Sequence, residues 1–292
     1  MVESRGSAAG YQVSVKLDPS TGTTVELQSA GAKSLDPRLI DRLLEVLRFA
    51  WARDLLPSAV HWQVAADART TFYGQKAGIR RLALDPPIPA AAVPANDWWA
   101  LVDCYLAWAM RVPTNRFTYI GKHFSDMLRC SDTGLETQGL VTSVAVEALV
   151  KSIAKKRLKQ PVLSDEDKAV RAWIKEFSDL VAEREQNTKV AMRVTNIFGT
   201  VFGLSARDRL KILASMKVLD AGSDETWADL RHRRAHGASD HEADPQVRVD
   251  QVDKVRHLFN QLVFFEIGYA GNYRNLGEFG WPPTRYPPAK SL

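Results

Sequence analysis

The 292 residues are 45% apolar and 25% charged, with a net charge of +5 and a pI near 9.2. That balance excludes a fibrous or wholly disordered polymer and fits a chain long enough to bury a core in one large domain or two modest ones. No apolar run approaches the ~20 residues that span a bilayer, and residues 1–10 lack a signal peptide's apolar segment, so a cytoplasmic protein without membrane contact is expected. The mild positive charge favours polyanionic partners, although a solvated basic surface explains it equally well. The two cysteines, Cys104 and Cys130, form no Cys-x-x-Cys pattern, which argues against a zinc site or a disulfide framework.

In chain order, residues 1–10 are small and polar and are expected to be disordered. Tyr11 to Leu17 alternates apolar and polar residues as a half-buried strand does, Asp18-Pro19-Ser20-Thr21-Gly22 supplies a turn, and Thr24 to Leu27 returns. A helix is predicted from Pro37 to about Leu55, with Asp36 as its N-cap and Pro37 at its first position. His61 to Val64 and Ile79 to Leu84 read as short strands. Residues 11–85 thus form a small α+β unit, and the proline-rich stretch 86–96 reads as a linker.

Beyond the linker, residues 97–276 read as helix after helix, so the fold class is mainly α: a helical bundle preceded by the small α+β unit. Helical patterns cover Trp98–Val112, Phe117–Cys130, Gln138–Leu158, a segment opened by Ser164, Ser205–Leu219, Ser223–His236 and Asp250–Tyr269. Trp98, Trp99, Trp108 and Trp173 fall in periodic apolar segments and read as core. The Pro-rich residues 277–292 read as an unstructured tail.

The chemistry concentrates in Leu230-Arg231-His232-Arg233-Arg234-Ala235-His236-Gly237. A guanidinium clamps phosphate oxygens through a planar fork of donors, and an imidazole moves protons near neutral pH. The same residues also fit a plain basic helix end, where cations favour the C-terminal dipole. Ser223 is placed to cap this helix, with Trp227 and Leu230 toward the core. Residues five apart sit ~140° apart on an ideal helix, so Arg231 and His236 share a face only if the helix unwinds near Gly237 or two copies meet. His232 and His236 do share a face, but with Asp240, His241 and Glu242 they give no recognisable ligand spacing, and no metal or other cofactor is expected.

This octamer resembles the Arg-polar-x-x-x-His signature of HEPN domains. Leu140 to Leu149, with Glu147 inside it, resembles an early helix of the Apea-like branch. Phe264-Phe265-Glu266-Ile267-Gly268-Tyr269-Ala270-Gly271-Asn272-Tyr273 is similar to the Gly-Tyr-x-Gly-x-Tyr ending of that branch's last helix. The resemblance covers about residues 96–276, and His232 stands where the family most often has Asn or Asp.

The resemblance implies an all-α bundle that dimerises, and a metal-independent endoribonuclease of toxin or anti-phage defence systems. Arg231 would hold the scissile phosphate. His236 would be general base or acid, with the partner subunit's His236 or His232 in the complementary role. Glu147 would orient Arg231 by a bidentate pair, or form a structural salt bridge. Arg233 and Arg234 would contact RNA phosphates, or form a solvated face. The basic end of the third helix of this region, Lys151, Lys155, Lys156, Arg157 and Lys159, would likewise track RNA or stand in solvent. Some family members lack catalysis, so a module binding nucleotide, RNA or a protein partner is the alternative. In a third reading the N-terminal unit recognises a phage-derived trigger within a larger system.

Overall fold

A computed structural model describes residues 2–18, 22–29, 36, 38–55, 59–64, 67–72, 82–88, 95–113, 117–157, 165–184, 189, 204–235 and 244–286. The N-terminal residues are ordered in pairing, against the expectation of disorder. Strands β1 (Val2–Ala8), β2 (Tyr11–Asp18) and β3 (Gly22–Ser29) form an antiparallel sheet in that order. Ala9 and Gly10 both take positive φ, 52° and 83°, the conformation that a two-residue hairpin turn demands. Polar composition misleads here because β1 is an edge strand held by its backbone: Ser4 faces Val15 in the register, and Ser4 Oγ accepts a 2.9 Å hydrogen bond from Trp99 Nε1. The buried face of the sheet is Ala8, Val13 and Val15.

Helix α1 (Leu39–Trp51) starts two residues later than predicted. Asp36 still organises the entry, its carboxylate accepting from the Arg38 amide at 2.8 Å and its carbonyl from the Leu39 amide at 2.9 Å; Pro37 lies outside the described residues. Strand β4 (Ala59–Val64) matches the expected strand and pairs with β5 (Asp67–Phe72), which sequence reading missed. Of the strand expected at 79–84, only 82–84 are described, and Ala83 makes an isolated bridge to Arg53.

The helical part contains α2 (Ala95–Arg111), α3 (Tyr119–Arg129), α4 (Leu135–Arg157), α5 (Asp165–Arg184), α6 (Ala206–Ser215), α7 (Ser223–Ala235) and α8 (Pro245–Ile267). Local chemistry sets several boundaries. Thr118 caps α3, Ser205 and Asp208 form a reciprocal capping box on α6, and Asp244 with Pro245 opens α8 one turn before the predicted start. From Val252 to Ile267 nearly every residue of α8 is buried, so this helix is the centre around which α2, α4 and α7 pack.

Among the described residues the expected α+β unit and the helical part pack against each other. Helix α1 packs on α2 and α3, β1 packs on α2, and one apolar cluster runs from Val13 and Leu47 through Leu106 to Phe259. Within the expected linker Ile88 is buried, and the Pro87 carbonyl accepts from the Arg274 amide at 2.7 Å. The C-terminal segment is also structured as far as Tyr286, and 287–292 lie outside the described residues. Strands β6 (Gly271–Arg274) and β7 (Pro283–Tyr286) pair antiparallel, and buried Tyr286 donates to the Val218 carbonyl at 3.0 Å. Prolines at a strand's first residue are compatible with such pairing, which composition alone does not reveal.

The Gly268-Tyr269-Ala270-Gly271-Asn272-Tyr273 run has a structural explanation. Gly268, at φ 74°, ends α8. A Cβ on Gly271 would lie 2.5 Å from the Tyr269 hydroxyl and 2.7 Å from Asp97 Oδ1, so only glycine fits. Tyr269 donates to the Asn272 carbonyl at 2.7 Å, and Tyr273 is buried against Phe264. Of the tryptophans read as core, Trp99 and Trp108 are buried and Trp98 half-buried, but Trp173 is 61% exposed. Its helical period is real, but α5 does not bury it.

Candidate active site around Arg231

Helix α7 is seated on α4 by its apolar positions. Leu230 and Trp227 are buried as predicted, and the Trp227 indole donates to the Ser143 carbonyl at 2.9 Å. Ser223 is the first helical residue and not a side-chain cap, because its hydroxyl donates to the Asp220 carbonyl at 2.7 Å. Arg231 follows Trp227 by four residues, and Glu147 follows Ser143 by four, so the next rung between the two helices is an ion pair. Arg231 Nε lies 3.3 Å from Glu147 Oε2. Of the two expectations, a bidentate pair and a structural salt bridge, the contact through Nε is an ion pair without the bidentate fork. The other carboxylate oxygen, Oε1, accepts from Lys151 Nζ at 2.6 Å.

Both members are only partly covered, with side-chain exposures of 32% for Arg231 and 26% for Glu147. Burial pushes the Glu147 carboxyl up, but the bonds and charges of Lys151 and Arg231 outweigh it and hold the group below the usual glutamate value. Glu147 is therefore an anion carrying two cations, one of which presents a guanidinium at the edge of α4.

Of the residues singled out from the sequence, the structure brings together Arg231 and Glu147. His236 lies outside the described residues, as do the side chains of His232, Arg233 and Arg234 and the whole of Asp240, His241 and Glu242. Helix α7 runs to Ala235, the residue before His236. Among the described residues no three of His, Cys, Asp and Glu come together as metal ligands.

The basic end of α4 is largely committed to the fold. Lys156 Nζ lies 2.9 Å from Glu266 Oε1 and over the Tyr119 ring at 4.7 Å. Arg157 Nε lies 3.6 Å from Glu266 Oε2 while its Nη2 donates to the Glu266 carbonyl at 3.0 Å. Glu266 is buried and also accepts from Tyr119 Oη at 2.6 Å and Trp108 Nε1 at 3.3 Å. Sequence reading missed this centre. Its signal was a lone carboxylate within Val263-Phe264-Phe265-Glu266-Ile267, which must find cations when buried.

Two further buried polar centres went unread. Glu45 accepts from Arg42 Nη1 at 3.2 Å, Tyr105 Oη at 3.1 Å, the Thr118 amide at 2.9 Å and the Thr118 hydroxyl, tying α1 to α2 and α3. His257, on α8, meets Asp220 at 2.8 Å and stacks on Tyr273. This contact with His257 is the main influence lowering the Asp220 carboxyl.

Comparison with protein-family models, curated proteins and solved structures finds no match to the chain. Among the described residues no helix is long and apolar enough to cross a membrane.

Proposed function

We propose that the chain is an Apea-like HEPN protein acting in the cytoplasm as a metal-independent endoribonuclease of a toxin or anti-phage defence system. The observation that carries this reading is the placement of Arg231 by Glu147 at the end of α7, five residues before His236 and within the Arg-x4-His pattern. A positioned, partly exposed guanidinium is suited to a phosphodiester oxygen and to the charge that grows on phosphorus in the transition state.

In this mechanism a base removes the proton from the RNA 2′-hydroxyl. The 2′-oxygen bonds to phosphorus, the bond to the 5′-oxygen breaks, and an acid protonates the departing oxygen. The products are a 2′,3′-cyclic phosphate and a 5′-hydroxyl. His236 takes one proton-transfer role, and the partner subunit's His236 or His232 takes the other, in a homodimer that joins two motifs. Arg233 and Arg234 contact flanking phosphates. DNA lacks the nucleophile and is inert.

The test is labelled RNA incubated with the protein in EDTA, beside His236→Ala. Cleavage by the wild type alone, with cyclic phosphate ends, supports the reading. Cleavage that persists in His236→Ala refutes it. One observation favours a second reading, a non-catalytic module binding nucleotide, RNA or protein: Arg231 already has a carboxylate partner, as a purely structural arginine would. That reading predicts RNA retention lost in Arg231→Ala and no cut product from any preparation.

A further inference from the structure

The carboxylate of Glu147 is divided between two cations, one to each oxygen. Oε1 accepts from Lys151 Nζ at 2.6 Å, and Oε2 accepts from Arg231 Nε at 3.3 Å. The two contacts differ in origin. Glu147 and Lys151 stand four residues apart on α4 with the glutamate first, so their pair forms with the helix and needs nothing from α7. Arg231 reaches the same carboxylate from α7, 84 residues along the chain.

An arginine that faces a solitary carboxylate favours a fork, with two parallel N–H···O bonds to the two oxygens. Here the shorter contact belongs to Lys151. A guanidinium turned to bond Oε1 as well would be driven against the ammonium already there, a like charge at close range. Arg231 therefore makes its one contact through Nε. Both of its Nη groups are without a hydrogen bond among the described residues, on a side chain that is 32% exposed.

We infer that Lys151 is a positioning residue for Arg231: by holding Glu147 Oε1 it limits Arg231 to its Nε contact and leaves both Nη groups to take the oxygens of a phosphate. The catalytic benefit rests on the ribonuclease reading above, whereas the effect on the guanidinium does not. Lys156 and Arg157, one turn further along α4, have no such role because they converge on Glu266.

Lys151→Met in the full chain tests it. The substitution keeps the aliphatic stem and removes an exposed ammonium, so far-ultraviolet circular dichroism stays as in the wild type. One readout uses no RNA. In nitrogen–proton spectra of the guanidinium groups, with the Arg231 signals identified by their loss in Arg231→Lys, rotation averages free Nη protons and a fork holds them apart. The wild type is expected to give averaged signals and Lys151→Met separate ones. The other readout is cleavage of labelled RNA in EDTA. There kcat/KM of Lys151→Met falls about tenfold, and in a Glu147→Gln background the same substitution has no further effect, because no carboxylate remains to be withheld. A forked Arg231 in the wild type, or Nη signals unchanged by Lys151→Met, overturns the inference. An equal loss in both backgrounds, with a salt dependence shallower by about 0.7 in log–log slope, also overturns it, since Lys151 then binds a phosphate itself. A wild type that cuts no RNA refutes the ribonuclease reading instead, and the guanidinium spectra alone then decide the inference.

Discussion

Glu147→Gln separates the folding role of the Arg231–Glu147 pair from the catalytic role proposed for it above. The substitution keeps the shape of the side chain and removes the charge that two cations share at 3.3 and 2.6 Å. Both sides of the pair are partly solvated, so the loss of stability is small, at about 0.2–1 kcal/mol. Positioning is more sensitive, because a guanidinium displaced by about 1 Å from a phosphate can cost on the order of 100-fold in rate. We expect urea unfolding to shift within that small range while EDTA-resistant RNA cleavage falls by about 10- to 100-fold. Arg231→Ala should remove about 100- to 1,000-fold. The pH dependence gives a second check. A carboxyl lowered in the folded state contributes stability that is present above its unfolded value of ~4.3 and is lost as pH falls through the folded value. A loss of cleavage above that range is therefore not set by Glu147 and should appear in Glu147→Gln as well. Full activity in Glu147→Gln, or an acid limb that disappears in that variant, would refute the positioning argument.

Three stability predictions follow from the buried polar centres and the C-terminal hairpin. Glu45→Ala removes the buried carboxylate that accepts from Arg42, Tyr105 and Thr118 and should cost about 3–5 kcal/mol in denaturant unfolding, so a loss under about 1 kcal/mol would contradict it. Asp253, raised to about 6 chiefly by burial, carries a proton more readily folded than unfolded, so its contribution is lost as pH rises through 6. The unfolding free energy of the wild type should rise between pH 7 and pH 5 by about 1.3 kcal/mol more than that of Asp253→Asn, and parallel profiles would exclude it. Tyr286→Ala should cost about 3–5 kcal/mol and Tyr286→Phe about 1 kcal/mol in the same assay, since only the first empties a buried aromatic site. Equal losses in the two variants would show that the hydroxyl bond to Val218 dominates.

The helices were the legible part of this fold, because α2, α4 and α8 bury periodic apolar faces that one sequence displays. The predicted start at Ser205 coincides with its cap, whereas Ser223, read as a cap, is the first helical residue. What sequence reading missed was backbone pairing without an apolar signature: β1 reads as a polar terminus and β7 as a proline-rich tail, yet each is held by a partner strand and by one long-range contact, Ser4 with Trp99 and Tyr286 with Val218. Periodicity also says that a stripe exists and not which way it faces, so Trp173 was placed in a core that α5 does not bury. At the candidate site, the link between Glu147 and Arg231 was suggested by their places in two motifs 84 residues apart, but its single-point geometry was not.

On the proposed reading, the partners of the basic residues narrow where an RNA phosphate would bind. A run such as Lys151, Lys155, Lys156 and Arg157 reads as a phosphate track when only the sequence is seen. In the folded chain Lys151 is bound to Glu147, and Lys156 and Arg157 converge on the buried Glu266, whose desolvation they offset. Neutralising Lys156 would therefore act on stability first and on RNA affinity only indirectly. Arg231 differs because its carboxylate lies at a surface seam and is itself shared, so the guanidinium can turn toward an incoming phosphate without leaving a fully buried charge behind. That difference in burial between Glu147 and Glu266, 26% against 2% side-chain exposure, makes the end of α7 a better candidate than the end of α4 for an anion-binding surface.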